Sequence, residues 1–133
     1  MSVASESPAK PTVLVVDDDE GSLISVAAAL EVLELTIITA SNFETAWKVL
    51  QKDVPDLMVL DVNMPEVNGY ALAHVLGRDE RTQAIPVIFL TGERKEKHHK
   101  HIGAQLGAVD YLLKPVEIEV LREAVSRQLF SQR

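Results

Sequence analysis

The stretch VLVVDDDE, Val13 to Glu20, sets four branched apolar residues directly against four acids. An unbroken run of branched apolar residues is the pattern of a strand buried on both faces. The acids that follow place charge at the end of that strand, where the chain turns. Leu23, Val26, Ala27, Leu30 and Leu33 then recur at helical spacing, so a helix follows.

The same alternation continues outward from this stretch. LTIITA (Leu35 to Ala40) reads as a second strand, after which Ser41 and Glu44 form a capping-box pattern ahead of Phe43, Ala46, Trp47 and Leu50. DLMVL (Asp56 to Leu60), PVIFL (Pro86 to Leu90) and VDYLL (Val109 to Leu113) read as three more strands. Helical segments lie around Tyr70 to Leu76, His98 to Leu106 and Glu117 to Leu129. Five strands alternating with five helices predict an α/β fold, a doubly wound parallel sheet with helices on both faces. Right-handed crossovers would leave ligands beyond the carboxyl ends of the strands.

Composition bounds the function. A chain of 133 residues supports one ordinary core. Met1 to about Lys10 is small and polar beside Pro8 and Pro11 and reads as a flexible leader, which leaves 11–131 for the domain. With no cysteine, disulfides, thiol nucleophiles and thiolate metal sites are excluded, and a reducing compartment fits. A net charge of -7 argues against direct nucleic-acid binding, which needs clustered Lys and Arg, and makes a cation the expected guest. No apolar run reaches the length of a membrane span, and MSVASESPAK lacks the apolar core of a secretory signal, so the expected location is cytoplasmic, without a membrane partner.

Four of the five apolar runs end in a reactive group: Asp17 and Asp18 after the first, then Asp61, Thr91 and Lys114. In a parallel sheet these ends share one edge, so three carboxylates, a hydroxyl and an ammonium converge. Two carboxylates about 4 Å apart repel by roughly 4 kcal/mol at an effective dielectric near 20. Such a cluster needs a neutralising cation. Hard oxygen donors without His or Cys favour Mg²⁺, which keeps several waters and leaves room for a phosphate. Asp19 and Glu20 have a simpler role, one or the other capping the next helix and favouring its positive end.

VVDD at Val15 to Asp18, LDVNMPEVNGY at Leu60 to Tyr70, FLTG at Phe89 to Gly92 and GAVDYLLKP at Gly107 to Pro115 together resemble the receiver domain of two-component response regulators. The resemblance runs from about Thr12 to Leu129 and implies strand order 2-1-3-4-5, as in CheY-like and flavodoxin-like folds. It implies that Asp61 is the phosphoacceptor, taking a phosphoryl group from a sensor histidine kinase or a histidine phosphotransfer protein. Asp18 and Asp61 would ligate Mg²⁺ directly, the Asn63 carbonyl would be a third ligand, and Asp17 would act mainly through bound water. Lys114 would supply the cation opposite the metal and Thr91 a hydroxyl for the phosphoryl group, while Tyr111 matches the family's switch aromatic. Pro65 and Gly69 would shape the loop and helix start after Asp61. Lys114-Pro115 matches the family's cis peptide bond, which would aim the lysine inward.

The implied output surface is formed by the fourth helix, the fifth strand and the fifth helix, where receivers meet an output module or partner or form a homodimer. From Thr91 to Lys114 the chain is one residue longer than many receivers, within GERKEKHHKHIGAQ. There His98 and His101 lie one helical turn apart beside His99, but no nearby carboxylate completes a persuasive ligand set, and a solvated helix face is the simpler reading. His74 reads as a surface histidine and Trp47 as a core aromatic. Two other classes share parts of the pattern. A small aspartyl-phosphate hydrolase of haloacid-dehalogenase type also uses an Asp nucleophile after a strand, and a receiver-like scaffold would bind partners without phosphorylation.

Overall fold

A computed structural model describes residues 10–62, 69–92 and 108–130 of the chain. Along it run β1 (Thr12–Val16), α1 (Glu20–Glu31), β2 (Thr36–Ala40), α2 (Phe43–Lys52), β3 (Leu57–Asp61), α3 (Gly69–Gly77), β4 (Val87–Thr91), β5 (Ala108–Leu113) and α4 (Ile118–Phe130). The strands form one parallel sheet in the order β2-β1-β3-β4-β5, the doubly wound arrangement expected. The anticipated helix over His98 to Leu106 lies outside the described residues, so α4 is the last helix of the sequence reading. Among the described residues no helix is long and apolar enough to cross a membrane.

The sheet divides the core by the two-residue period of its strands. Val13 and Val15 of β1 pack on one face with Leu23, Val26 and Leu30 of α1 and Leu121 and Val125 of α4. Leu14 and Val16 pack on the other face with Ala46 and Leu50 of α2 and Leu72 and Leu76 of α3. Because both faces are covered, β1, β3 and β4 have no polar alternation and are buried almost throughout. β2 is an edge strand and is buried only at Ala40.

Side chains satisfy the helix ends. Arg122 Nε donates to the carbonyl of Ala29 (2.6 Å), tying α4 to the last turns of α1. Arg81 Nη2 donates to the carbonyl of Leu50 (2.8 Å) at the end of α2, and Thr82 Oγ1 to that of Leu76 (2.7 Å) at the end of α3. The expected Ser41–Glu44 capping box is corrected. The N-cap of α2 is Asn42, whose Oδ1 accepts from the Thr45 N–H (2.8 Å), so Ser41 lies one residue too early. Glu44 instead faces solvent beside Lys48. Trp47 is half-buried against its core cluster and stacks on Phe43 with centroids 6.2 Å apart, and His74 is exposed as expected.

After α1 the chain turns through 3₁₀-type bonds, Leu33 N–H to the Leu30 carbonyl and Glu34 N–H to the Glu31 carbonyl, and Glu34 adopts φ 58°. This left-handed conformation costs a non-glycine residue about 1–2 kcal/mol. Glycine removes that strain but adds unfolded-chain entropy of about 0.5–1 kcal/mol. Glu34→Gly should therefore stabilise the fold by about 0.5–1 kcal/mol in urea unfolding, and Glu34→Val should destabilise it. A glycine variant weaker than wild type would contradict this account.

Candidate functional site

The four acids that follow β1 separate into distinct roles. The Asp17 N–H donates to the Ala40 carbonyl (3.1 Å), anchoring the end of β1 to the end of β2. Asp17 Oδ1 accepts from the Asp19 N–H (3.0 Å), which orients a carboxylate with no exposed surface. Asp18 is exposed. Asp19 is the N-cap of α1, its Oδ2 accepting from the Ser22 N–H (3.0 Å). Glu20 lies in the first turn, where the helix dipole favours negative charge. Like charges are tolerated here because each acid has a different environment.

Asp61 is the last residue of β3, paired with Leu90 of β4 and only 2% exposed. Thr91 ends β4 and is fully buried, and its carbonyl accepts from the Lys114 N–H (2.7 Å). That bond holds the backbone of Lys114 at the same sheet edge, just beyond β5. The Lys114-Pro115 peptide bond is cis, as expected. Lys114 Nζ lies 2.9 Å from Asp17 Oδ2 and 3.5 Å from Asp61 Oδ1. The closer contact is an ion pair with a carboxylate oxygen that is itself buried. Burial pulls the pKa of the Lys114 ammonium down, but the bonding and charge of Asp17, followed by those of Asp61, outweigh it and leave the pKa above the ordinary lysine value.

Carboxylate oxygens of Asp17, Asp18 and Asp61 all lie within 4.8 Å of one another. Two of these acids are buried and one is exposed, so the cluster has an open side. The donor set is all hard oxygen, and one ammonium cannot balance three carboxylates. Both features fit a divalent cation such as Mg²⁺. Asn63 and Pro65, and the His98, His99 and His101 group, fall outside the described residues. Gly69 opens α3, and Pro115 lines a groove between α1 and α4 that Lys114 and Asp19 border at the acidic end. Tyr111, half-buried in β5, pairs in register with Phe89 and meets its ring edge-on with centroids 6.0 Å apart, on the strand that ends in Thr91.

The sequence reading missed how Asp17 is positioned. The Asp17–Asp19 contact is an Asx-type turn, for which an aspartate followed two residues later by a free backbone N–H was the available signal. The bond to Ala40 had no such signal, since it joins the ends of two strands far apart in sequence.

Residues 13–126 match the family model described as the response regulator receiver domain. Among curated proteins, the phosphate regulon transcriptional regulatory protein PhoB of Pseudomonas aeruginosa is 39% identical over 87% of this chain and 49% of its own length. PilH of the same organism is 33% identical over 88% of this chain and 96% of its own length. The chain spans between 18% and 49% of the length of the first three curated relatives it matches. The structure of the chemotaxis protein CheY4 of Vibrio cholerae superposes with a TM-score of 0.84 at 29% identity, covering 91% of this chain and all of that one.

Lys114 should contribute to stability as well as chemistry. Replacing it with Met leaves buried Asp17 and Asp61 without their cation. The expected cost at pH 7 is about 2–3 kcal/mol, less than for a fully enclosed pair because Lys114 is partly exposed. Its pKa is raised on folding, so its contribution is fully present below the unfolded value of about 10.4 and is lost as pH rises through the higher folded value. In urea unfolding from neutral to strongly alkaline pH, the gap between wild type and Lys114→Met should stay constant to about pH 10 and then close. No gap at pH 7 would remove this ion pair from the stability of the site.

Proposed function

The chain belongs to the response regulator receiver domain family, and from that premise we propose that it is a phosphorylation-switched signalling domain with Asp61 as its phosphoacceptor. The observation that carries this reading is the convergence of Asp17, Asp18, Asp61, Thr91 and Lys114 at one sheet edge, with Lys114 Nζ between two of the carboxylates. The phosphodonor is a histidine kinase or a histidine phosphotransfer protein. The expected receiver boundary at 11–131, the leader before it and a cytoplasmic location belong to the same proposal.

In the proposed reaction a carboxylate oxygen of Asp61 attacks phosphorus. The P–O bond forms as the P–N bond to the donor imidazole breaks, and the imidazole leaves with the bonding electron pair. Asp61 can act as nucleophile because Lys114 balances its charge without a covalent bond, while the buried β3 strand fixes its position. Mg²⁺ held by Asp18 and Asp61, by the Asn63 carbonyl and through water by Asp17 would supply positive charge for the phosphoryl oxygens. Lys114 complements it as a fixed cation of the chain, and Thr91 offers a hydroxyl hydrogen bond to the transferred group. The domain thus catalyses its own phosphorylation and slow release.

The new group brings roughly 1.5–2 negative charges and three acceptor oxygens to one point. If Thr91 moves toward it, space opens beside β4, and Tyr111 turns inward to fill that space. The face formed by β5 and α4 then changes shape for its output partner or a second receiver.

Acetyl phosphate with Mg²⁺ should label Asp61 stoichiometrically, and chelation or Asp61→Asn should abolish the label in mass spectrometry. Full label in Asp61→Asn would overturn the assignment, and sustained turnover of a phosphate ester would favour a hydrolase instead. Asp18→Ala should weaken Mg²⁺ affinity at least about tenfold, a loss of about 1.4 kcal/mol. NMR spectra with and without beryllofluoride, a phosphoryl mimic, should show Thr91, Tyr111 and that face shifting together. A face unchanged at saturation would refute the coupling even with Asp61 as acceptor.

A further inference from the structure

β2 occupies one end of the strand order, and among the described residues no strand pairs with its outer side. Its sequence, TIITA, carries no charge and no proline, and its pairing with β1 runs without a bulge. Those are the usual devices that keep a free strand edge from pairing. We infer that β2 pairs with β2 of a second copy of this chain, antiparallel about a two-fold axis at Ile38, to form a homodimer with a continuous ten-stranded sheet.

The backbone pattern makes the edge self-complementary. The Thr36 N–H donates to the Pro11 carbonyl (2.9 Å), and the Ala40 carbonyl accepts from Asp17 (3.1 Å). Residues 36, 38 and 40 therefore direct their backbone groups at β1, and Ile37 and Thr39 direct theirs outward. A two-fold axis at Ile38 sets Ile37 against the partner's Thr39, and Thr39 against the partner's Ile37. Each pair exchanges both N–H···O bonds, as in the hydrogen-bonded pairs of an antiparallel ladder.

Packing and charge agree with that register. On the α2 face the two copies of Ile38 meet beside Phe43 and Trp47, which are only partly buried in the single chain. α2 packs over β2 and β1. With strands about 4.8 Å apart, each α2 then lies about 5 Å from the axis and about 10 Å from its copy, a normal helix-packing distance. The two α2 helices run antiparallel. Glu44 and Lys48, with side chains 81% and 74% exposed, are paired 3.8 Å apart within one helix. With the axis level with Ala46 of α2, Glu44 of each copy would come opposite Lys48 of the other, making the contact complementary in charge as well as in hydrogen bonding. The Asp61 sites open at opposite ends of the combined sheet, which leaves phosphoryl acceptance independent of this contact.

Sedimentation of the unphosphorylated chain from micromolar to millimolar concentration should show a monomer–dimer equilibrium. Thr39→Pro removes an outward N–H without breaking a bond to β1, and Thr39→Lys places a charge on the edge. Both should raise the dissociation constant at least about tenfold while leaving the far-UV circular dichroism unchanged. Glu44→Lys should weaken the dimer, and Glu44→Lys combined with Lys48→Glu should restore it. A chain that stays monomeric at millimolar concentration overturns the inference. So does a dimer that persists undiminished in Thr39→Lys, because it must then form through another face, that of Tyr111 included.

Discussion

The ammonium of Lys114, 2.9 Å from Asp17 and 3.5 Å from Asp61, is what allows two buried carboxylates to share one end of a sheet. Without it the cluster is a repulsive set of acids, two of them buried. The chain places that cation by backbone bonding: Thr91 accepts from the Lys114 N–H, so the end of β4 fixes the residue after β5. Asp17 is held in the same way, by Ala40 at the end of β2. The charged groups thus depend on the register of a parallel sheet, which in turn depends on apolar strands buried from both sides.

The sheet keeps two requirements apart. Side chains that alternate along β1 serve two separate cores, with α1 and α4 on one face and α2 and α3 on the other. The polar groups of the site collect at or just beyond the carboxyl ends of the strands, where the backbone emerges from both cores. A polar residue within β1, β3 or β4 would enter an apolar layer, whereas at the carboxyl end it meets other polar groups and solvent. The same geometry leaves β2 half-covered, with helices over its faces and, among the described residues, no strand along its outer edge.

Several local features of the chain could be read correctly only in part. Asp19 was legible as a helix cap because its side chain acts on the turn immediately after it. The start of α2 was misplaced by one residue, since Ser41 and Asn42 are both competent caps and the choice depends on how the helix docks through Ala46 and Leu50. The left-handed Glu34 follows no local preference for that conformation and is imposed by the need to turn from α1 into β2. Strand ends moved by a residue for a related reason: Asp61 and Thr91 pair within the sheet although they are polar.

By itself the sequence determined the fold class, because unbroken apolar runs alternating with helical periodicity have few packings, and it named Asp17, Asp18, Asp61, Thr91 and Lys114 because each directly follows or ends such a run. Those signals are local, carried by neighbours along the chain. Only the tertiary structure decided which acids are buried, which carboxylates Lys114 reaches, and that Ala40 and Thr91 anchor the site through their carbonyls. These are contacts between strand ends separated by many residues, and their distances follow from sheet register and packing, which residue order alone does not encode locally.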